Sequence, residues 1–158
     1  MPYDPDFYER RLAAANDPRK AVWDGTAAEW AKAKRETTDI LATYLRSGMR
    51  VLDAGCGIGE LVECLPPGIY YTGIDYCKGF VETTRQRYPG RRFEVDNLLD
   101  LSSFAEQFDV CVCRTVEGVI GDRAWPGIAA NLLKLAPRVL VFRVADCMAD
   151  TIQILERK

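Results

Sequence analysis

Residues 51–61 constrain the fold of this chain more than any other stretch. A short apolar run leads into Asp53, and alternate positions are then occupied by Gly55, Gly57 and Gly59. Glycine has no Cβ and tolerates positive φ, so this spacing predicts a tight turn whose backbone can approach a ligand closely. The segment therefore predicts a buried strand, a glycine turn and the start of a helix.

The segments that follow alternate between apolar runs and helical patterns. Strands are predicted at residues 50–54, 70–75, 92–96, 108–113 and 138–144. Helices are predicted at residues 59–65, 78–88 and 124–136, with a shorter helical turn at 102–107. This alternation is typical of an α/β protein with a doubly wound, mostly parallel sheet that helices cover on both faces. Ligands of such sheets bind beyond the carboxyl ends of the strands.

Two helices are predicted before the first strand. Thr26 and Glu29 have the spacing of a capping box, and apolar residues then recur at helical spacing until Gly48. A shorter helix is predicted within residues 3–15. We expect one domain over residues 1–158, with an N-terminal helical lid or cap at 1–48 and a Rossmann-like core at 49–158. The N-terminal aromatic residues suit either a lid over a ligand or anchors in a core: Phe7, Tyr8, Trp23 and Trp30.

The charge balance argues against several partners. Lys plus Arg is 21 and Asp plus Glu is 23, so the net charge is −2, which gives no reason to expect a nucleic-acid partner. No apolar run approaches the roughly 20 residues that a membrane-spanning helix needs. The polar N-terminus does not resemble a signal peptide. We therefore expect a cytoplasmic protein with no membrane partner.

A metal site is not expected. The chain has six cysteines and no histidine, and none of the cysteines forms a Cys-x-x-Cys pair of the kind that binds zinc. The cysteines are expected to be small, buried apolar side chains in a reducing compartment. They are Cys56, Cys64, Cys77, Cys111, Cys113 and Cys147.

The glycine turn also bears on the type of ligand. A nicotinamide or flavin site requires Gly-x-Gly-x-x-Gly, with a helix N-terminus that faces a pyrophosphate. Counted from Gly55, the third glycine of that pattern falls on Glu60, and a carboxylate there would repel the phosphates. The spacing through Gly59 instead favours a ligand without a pyrophosphate.

Polar residues at the strand ends complete a pattern that resembles class I S-adenosylmethionine-dependent methyltransferases over roughly residues 50–144. The resemblance implies that the turn contacts the methionine end of the cofactor, that Asp75 and Tyr76 hold the ribose and flank the base, and that Asp96 and Asn97 bind the adenine. Arg114 and Thr115, at the end of the fourth strand, would line the methionine arm. The residues implied at the methionine end are Asp53, Gly55, Cys56 and Gly57, and Gly59 of the same turn is also expected to bind the cofactor.

Methyl transfer from a sulfonium is an in-line displacement, so the protein mainly aligns the acceptor and excludes water. A general base is needed only if the acceptor must lose a proton. Glu117, in the loop after the fourth strand, is the first candidate base, although a solvated loop charge is an equally good interpretation; Asp146 is a weaker candidate. Arg114 and Arg143 suit an anionic acceptor or ion pairs with these carboxylates.

The C-terminus is shorter than this family usually has, because residues 151–155 predict one short strand at most where two further strands are usual. The sheet would then have an exposed edge, for which we expect a homodimer or, alternatively, a monomer whose N-terminal segment covers the edge. A small-molecule acceptor is favoured. The alternatives are a protein or RNA acceptor recognised with a partner subunit, and a catalytically silent, cofactor-binding regulatory subunit.

Overall fold

The computed structural model describes residues 4, 6–102, 104–116, 120–121, 123–145 and 148–158. The helices within this part of the chain are α1 (Phe7–Ala14), α2 (Pro18–Val22), α3 (Ala27–Tyr44), a 3₁₀ helix (Glu60–Cys64), α4 (Lys78–Arg87) and α5 (Trp125–Leu135). The strands are β1 (Arg50–Ala54), β2 (Tyr70–Asp75), β3 (Arg92–Val95), β4 (Val110–Arg114), β5 (Arg138–Ala145) and β6 (Met148–Glu156).

The strands form one sheet in the order β3-β2-β1-β4-β5-β6. Strands β1 to β5 are parallel, and β6 runs antiparallel to β5. The connections reverse direction between β1 and β4, so the switch point of this doubly wound sheet lies at the end of the glycine-rich strand. The predicted fold class is confirmed.

Apolar cores lie on both faces of the sheet, as the near-continuous apolar strands predict. On one face Val51, Val110 and Val112 pack with Leu41 of α3. On the other face Leu52 packs with the α5 side and the loop before β4. Cys111 and Cys113 belong to this second core, and the five cysteines among the described residues are buried and form no disulfide bond there.

Residues 16–18 both end α1 and start α2. Pro18 occupies the first turn of α2, and the Asp17 side chain accepts a hydrogen bond from the backbone N–H of Arg19 at 3.0 Å. The predicted capping box of α3 is confirmed, because Thr26 and Glu29 exchange both side-chain-to-backbone hydrogen bonds.

Three expectations about local structure were wrong. The predicted helix at 59–65 is only the short 3₁₀ helix, because Gly59 is left-handed at its start and two prolines follow its end. Residues 104–107 are not helical; there Phe104 stacks on Phe108 with ring centroids 5.9 Å apart. The terminal strand is not short, since β6 has nine residues.

The length of β6 follows from its hairpin with β5, which pairs Arg138 with Glu156 at the open end. Ile152 packs on one core and Leu155 on the other, so β6 closes both cores at this edge of the sheet. Dimerisation through its outer edge stays a prediction, which sedimentation at micromolar concentration tests. No helix of the described residues is long and apolar enough to cross a membrane.

Candidate cofactor site and the adjoining charged cleft

The glycine turn adopts the left-handed conformations that its sequence predicts. Gly55, Gly57 and Gly59 have φ values of 80°, 50° and 78°, which are strained for other residues. A Cβ on Gly55 would lie 2.3 Å from the Val116 side chain. A Cβ on Gly57 would lie 3.6 Å from the Val22 side chain, an ordinary van der Waals contact. The turn therefore exposes bare backbone at the carboxyl end of β1.

Asp75 fixes this turn to the end of β2. One carboxylate oxygen accepts the backbone N–H of Gly57 at 2.9 Å, and the other accepts that of Cys77 at 2.9 Å. Burial raises the pKa of Asp75, and the two backbone N–H groups oppose that effect. Each oxygen of an ionised carboxylate can accept more than one hydrogen bond, so Asp75 can still accept hydroxyl groups from a ligand.

A cleft opens in front of the turn and holds about 670 Å³ of empty space, its mouth included. This cleft is named here the cofactor cleft. The predicted site residues that line it are Gly55, Gly57, Asp75, Tyr76, Asp96, Asn97 and Thr115. Side chains that the sequence reading did not assign to the site also line it: Val22, Phe80, Leu98, Leu99, Val116, Ile120 and Ile128.

Hydrogen bonds fix the loop after β3 at the side of this cleft. The Asp96 carboxylate accepts the backbone N–H of Asn97 at 2.7 Å, and the Asn97 side chain accepts that of Leu99 at 3.0 Å. From α5, the amide of Asn131 donates to the carbonyls of Leu98 and Leu99. Leu98 and Leu99 directly follow Asp96 and Asn97 in the sequence. This apolar pair could have indicated the apolar wall of the cofactor cleft, which the sequence analysis did not assign.

Of the N-terminal aromatic residues, Tyr8 lines the cofactor cleft. Its ring lies 5.6 Å from Phe80 and 6.4 Å from Tyr76, and the neighbouring Glu9 accepts the backbone N–H of Gly79 at 3.1 Å. Helix α1 is thereby docked on the start of α4. Trp23 and Trp30 instead pack on each other, with centroids 4.6 Å apart.

Asp53 lies beneath the turn and does not line the cofactor cleft. Its side chain is 2% exposed, and the Tyr71 hydroxyl donates to it at 2.7 Å. Burial raises the pKa of Asp53 to about 7, against the opposing effects of the Tyr71 hydrogen bond and the charge of Arg114. Cys56 is likewise buried in the core, so both residues support the turn from behind.

A second cleft lies on the other side of the turn. It holds about 690 Å³ of empty space, its mouth included, and is named here the charged cleft. Its lining residues are Arg19, Ala27, Trp30, Ala31, Lys34, Glu60, Glu63, Cys64, Arg87 and Arg114. The structure thus places Arg114 in this cleft, while the other predicted catalytic residue, Glu117, lies outside the described residues, as does Asp146.

The end of β4 separates the two clefts. Thr115 has a φ of 64°, which is a genuine outlier for a β-branched residue and a form of strain that clusters at functional sites. Its backbone N–H donates to the Phe142 carbonyl at 3.2 Å. The resulting turn places Thr115 on the cofactor cleft and the preceding Arg114 on the charged cleft.

The fold is similar to those of several solved methyltransferases. Magnesium protoporphyrin IX methyltransferase from Synechocystis PCC 6803, with bound S-adenosylmethionine, has a TM-score of 0.68 and 19% identity, over 88% of this chain and 76% of that one. An amino pentose methyltransferase from Micromonospora echinaspora has a TM-score of 0.65 and 18% identity, over 83% and 58%. This chain therefore spans less than two thirds of the second protein. At these low sequence identities, the similarity shows a shared fold and nothing more.

No curated protein sequence matches this chain. The sequence model of the methyltransferase-domain family, however, matches residues 51–137 of this chain. The match covers β1 to the end of α5, which is more than half of the chain and contains the glycine turn and the strand ends β1 to β4. The chain therefore belongs to the methyltransferase-domain family and is an S-adenosylmethionine-dependent methyltransferase.

Proposed function

We propose that this chain transfers the methyl group of S-adenosylmethionine to a nucleophilic oxygen, nitrogen or sulfur of a small molecule. The observation that carries the proposal is the cofactor cleft, where Asp75 faces the bare backbone of Gly57 at the switch point of the sheet. A buried carboxylate beside a turn without side chains fits a polar, ribose-bearing ligand. Apolar walls on the far side of the cleft fit an adenine ring.

Each end of the cleft has a distinct role in this proposal. Asp75 accepts the ribose hydroxyls while its backbone donors hold it in place. Asp96 accepts from the adenine amino group, and Leu98 and Ile128 pack on the adenine faces from the cleft wall. Tyr76 flanks the base together with Tyr8, which would close the cleft as part of an N-terminal lid.

The methionine end belongs to the turn and to the end of β4. The backbones of Gly55, Gly57 and Thr115 line this part of the cleft. Asp53, Cys56 and Gly59 support the turn without lining the cleft. The first two are buried, and Gly59 directly precedes the 3₁₀ helix.

The cofactor supplies the reactive methyl carbon and the leaving group. The chain then has to hold the acceptor in line with that carbon and exclude water, which a narrow apolar cleft can do.

Two similar structures favour a small acceptor. One is named for magnesium protoporphyrin IX and the other for an amino pentose, and both are small molecules. The arginines near β3 also have acceptors within the chain: Arg85 and Arg91 donate to backbone carbonyls, and Arg92 pairs with Glu94. That pairing is typical of a solvated surface rather than a nucleic-acid track.

The test combines binding with turnover. Calorimetry with S-adenosylhomocysteine should give micromolar or tighter binding, and NADH should not bind. Transfer from labelled S-adenosylmethionine to pooled small metabolites supports the proposal. Transfer only to protein or RNA indicates a macromolecular acceptor, and tight cofactor binding without any transfer indicates a silent regulatory subunit. Binding of NADH without binding of S-adenosylhomocysteine would contradict the assignment.

A further inference from the structure

The charged cleft contains one carboxylate and one guanidinium that have no hydrogen-bond or ion-pair partner among the described residues. Glu60 and Arg114 are both half-buried and line the cleft. Neither side chain forms a hydrogen bond or an ion pair with another residue in the part of the chain that the structure describes. A half-buried charge without a partner is costly, so such a pair at a cleft indicates groups kept available for a ligand.

The other charges of this cleft are neutralised locally. Glu63 accepts from Lys34 at 2.7 Å and from Arg87 at 2.6 Å, and Arg19 pairs with Asp17 at 2.7 Å. Arg114 therefore differs from the other three cations of the cleft, each of which already has a carboxylate partner. The Arg114 guanidinium is therefore available to bind an anionic ligand group in the cleft.

Glu60 has the electrostatics of an acceptor for a proton-bearing ligand group. Burial raises its pKa, and the charges of Arg114 and Arg87 oppose that effect. A carboxylate with a raised pKa binds a hydroxyl or ammonium group readily and disfavours a second anion nearby. The cleft thus combines a site for one negative charge with a site for a hydrogen-bond donor.

The cleft also has the right position and an apolar wall. Arg114 is directly followed by Thr115, which lines the cofactor cleft, so the two clefts meet at the end of β4. Trp30 of α3 is half-buried and lines the charged cleft beside Ala27 and Ala31. A flat or aliphatic body can pack on this indole face.

We propose that the charged cleft is the acceptor site, and that it takes a small carboxylate whose charge is bound by Arg114 and whose hydroxyl or amino group is bound by Glu60. This inference rests on the proposed function, because it assigns the acceptor of the same reaction. The guanidinium can bind a carboxylate through two parallel hydrogen bonds, which an amide or ester of the same shape cannot replace.

The experiment uses the full chain saturated with S-adenosylhomocysteine and four probes: 3-hydroxybenzoate, 3-aminobenzoate and their two primary amides. Nitrogen-detected NMR follows the Trp30 indole and the Arg114 Nε signals. The carboxylates should shift both signals with millimolar affinity, and the amides should bind at least about tenfold more weakly, as expected for the loss of a charge-assisted pair. Arg114→Gln should abolish this preference and Arg114→Lys should restore part of it.

Arg138→Gln is the matched control, because Arg138 pairs with Glu156 at the opposite end of the sheet. Equal binding of carboxylates and amides, or no shift at Trp30 and Arg114, would overturn the inference while leaving cofactor binding intact. Carboxylates that bind only without S-adenosylhomocysteine, and compete with it, would assign the cleft to the cofactor's own carboxylate and overturn the inference too. A chain that fails to bind S-adenosylhomocysteine would refute the proposed function and this inference together.

Discussion

The carboxyl ends of β1 and β2 look alike in the sequence and differ in the folded protein. Each strand carries an almost fully buried aspartate at its end: Asp53 is the next-to-last residue of β1, at 2% exposure, and Asp75 is the last residue of β2, at 7% exposure. Asp75 accepts one backbone N–H on each oxygen. Asp53 has the Tyr71 hydroxyl as its donor, and burial raises its pKa to about 7.

The difference lies in the donors rather than in the aspartates. Burial raises the pKa of Asp75 too, but two backbone N–H groups, one on each oxygen, favour its ionised form and oppose that effect. A phenol gives one hydrogen bond to Asp53 and leaves most of its desolvation uncompensated. Asp75 is therefore suited to bind neutral hydroxyl groups, while Asp53 is a buried group whose charge changes close to neutral pH.

The largest effect is expected for Asp53→Asn. The pKa of Asp53 rises from 3.8 to about 7, so between these values the folded chain holds a proton that the unfolded chain releases. Rising pH therefore lowers stability across this window, by at most on the order of 4 kcal/mol at roughly 1.4 kcal/mol per unit. Asn cannot ionise, so the variant should gain stability over the parent as the pH rises.

Urea unfolding at several pH values between about 4 and 8 measures this difference. Asp39→Asn, at an exposed position of α3, is the matched control and should show a small, nearly constant difference from the parent. A gap between Asp53→Asn and the parent that does not widen with pH would show that Asp53 is ionised throughout, and the contrast with Asp75 would disappear.

Asp75→Ala should have the next largest effect, on two properties at once. The loss of two hydrogen bonds to a charged group predicts about 3 kcal/mol of lost stability, because Gly57 and Cys77 lose their acceptor. The loss of the ribose contacts predicts at least roughly tenfold weaker S-adenosylhomocysteine binding. Calorimetry and a melting curve measure the two effects separately. Weakened folding with unchanged cofactor affinity would restrict Asp75 to a structural role.

Tyr71→Phe tests the donor side of the comparison. Removing the hydroxyl takes away the hydrogen bond to Asp53, at a cost of about 1 kcal/mol. That hydrogen bond lowers the pKa of Asp53, so without it the pKa of Asp53 should rise further. The pH range over which Asp53→Asn and the parent differ should then extend upward. A carboxyl-carbon NMR titration of Asp53 measures the shift. A fall in the Asp53 pKa on this substitution would contradict the assigned role of the phenol.

The strands and their order follow closely from the sequence because the evidence for them is local. Buried parallel strands need continuous apolar runs, and the strand starts at Arg50, Tyr70, Arg92 and Arg138 were predicted at the observed residue. The glycine turn and Asp75 were found for the same reason, since alternate glycines and a strand-end carboxylate are visible within a few residues. These features supplied the confirmed family and cofactor class.

The remaining features depend on contacts between distant segments. Nothing near Asp53 indicates that Tyr71, eighteen residues away, would cover it. The charged cleft joins Trp30, Glu60 and Arg114 from three separate elements, and Glu60 entered the sequence reading only as an objection to a pyrophosphate. The predicted helical turn is absent from residues 104–107, and Phe104 there stacks on Phe108 in a contact that helical spacing does not reveal.

The smallest effect on folding is expected for Asp96→Ala, which extends the comparison to the end of β3. The Asp96 side chain is half-buried and accepts the backbone N–H of the next residue, Asn97, rather than holding two elements together. Its loss should therefore change stability by no more than about 0.5 kcal/mol, as is usual away from buried networks. If Asp96 binds the adenine amino group, S-adenosylhomocysteine affinity should fall several-fold while inosine-containing analogues, which lack that amino group, bind the variant and the parent equally. Calorimetry with both ligands measures this. An equal loss for both ligands would mean that Asp96 shapes the loop, and that of these two carboxylates Asp75 alone binds the cofactor directly.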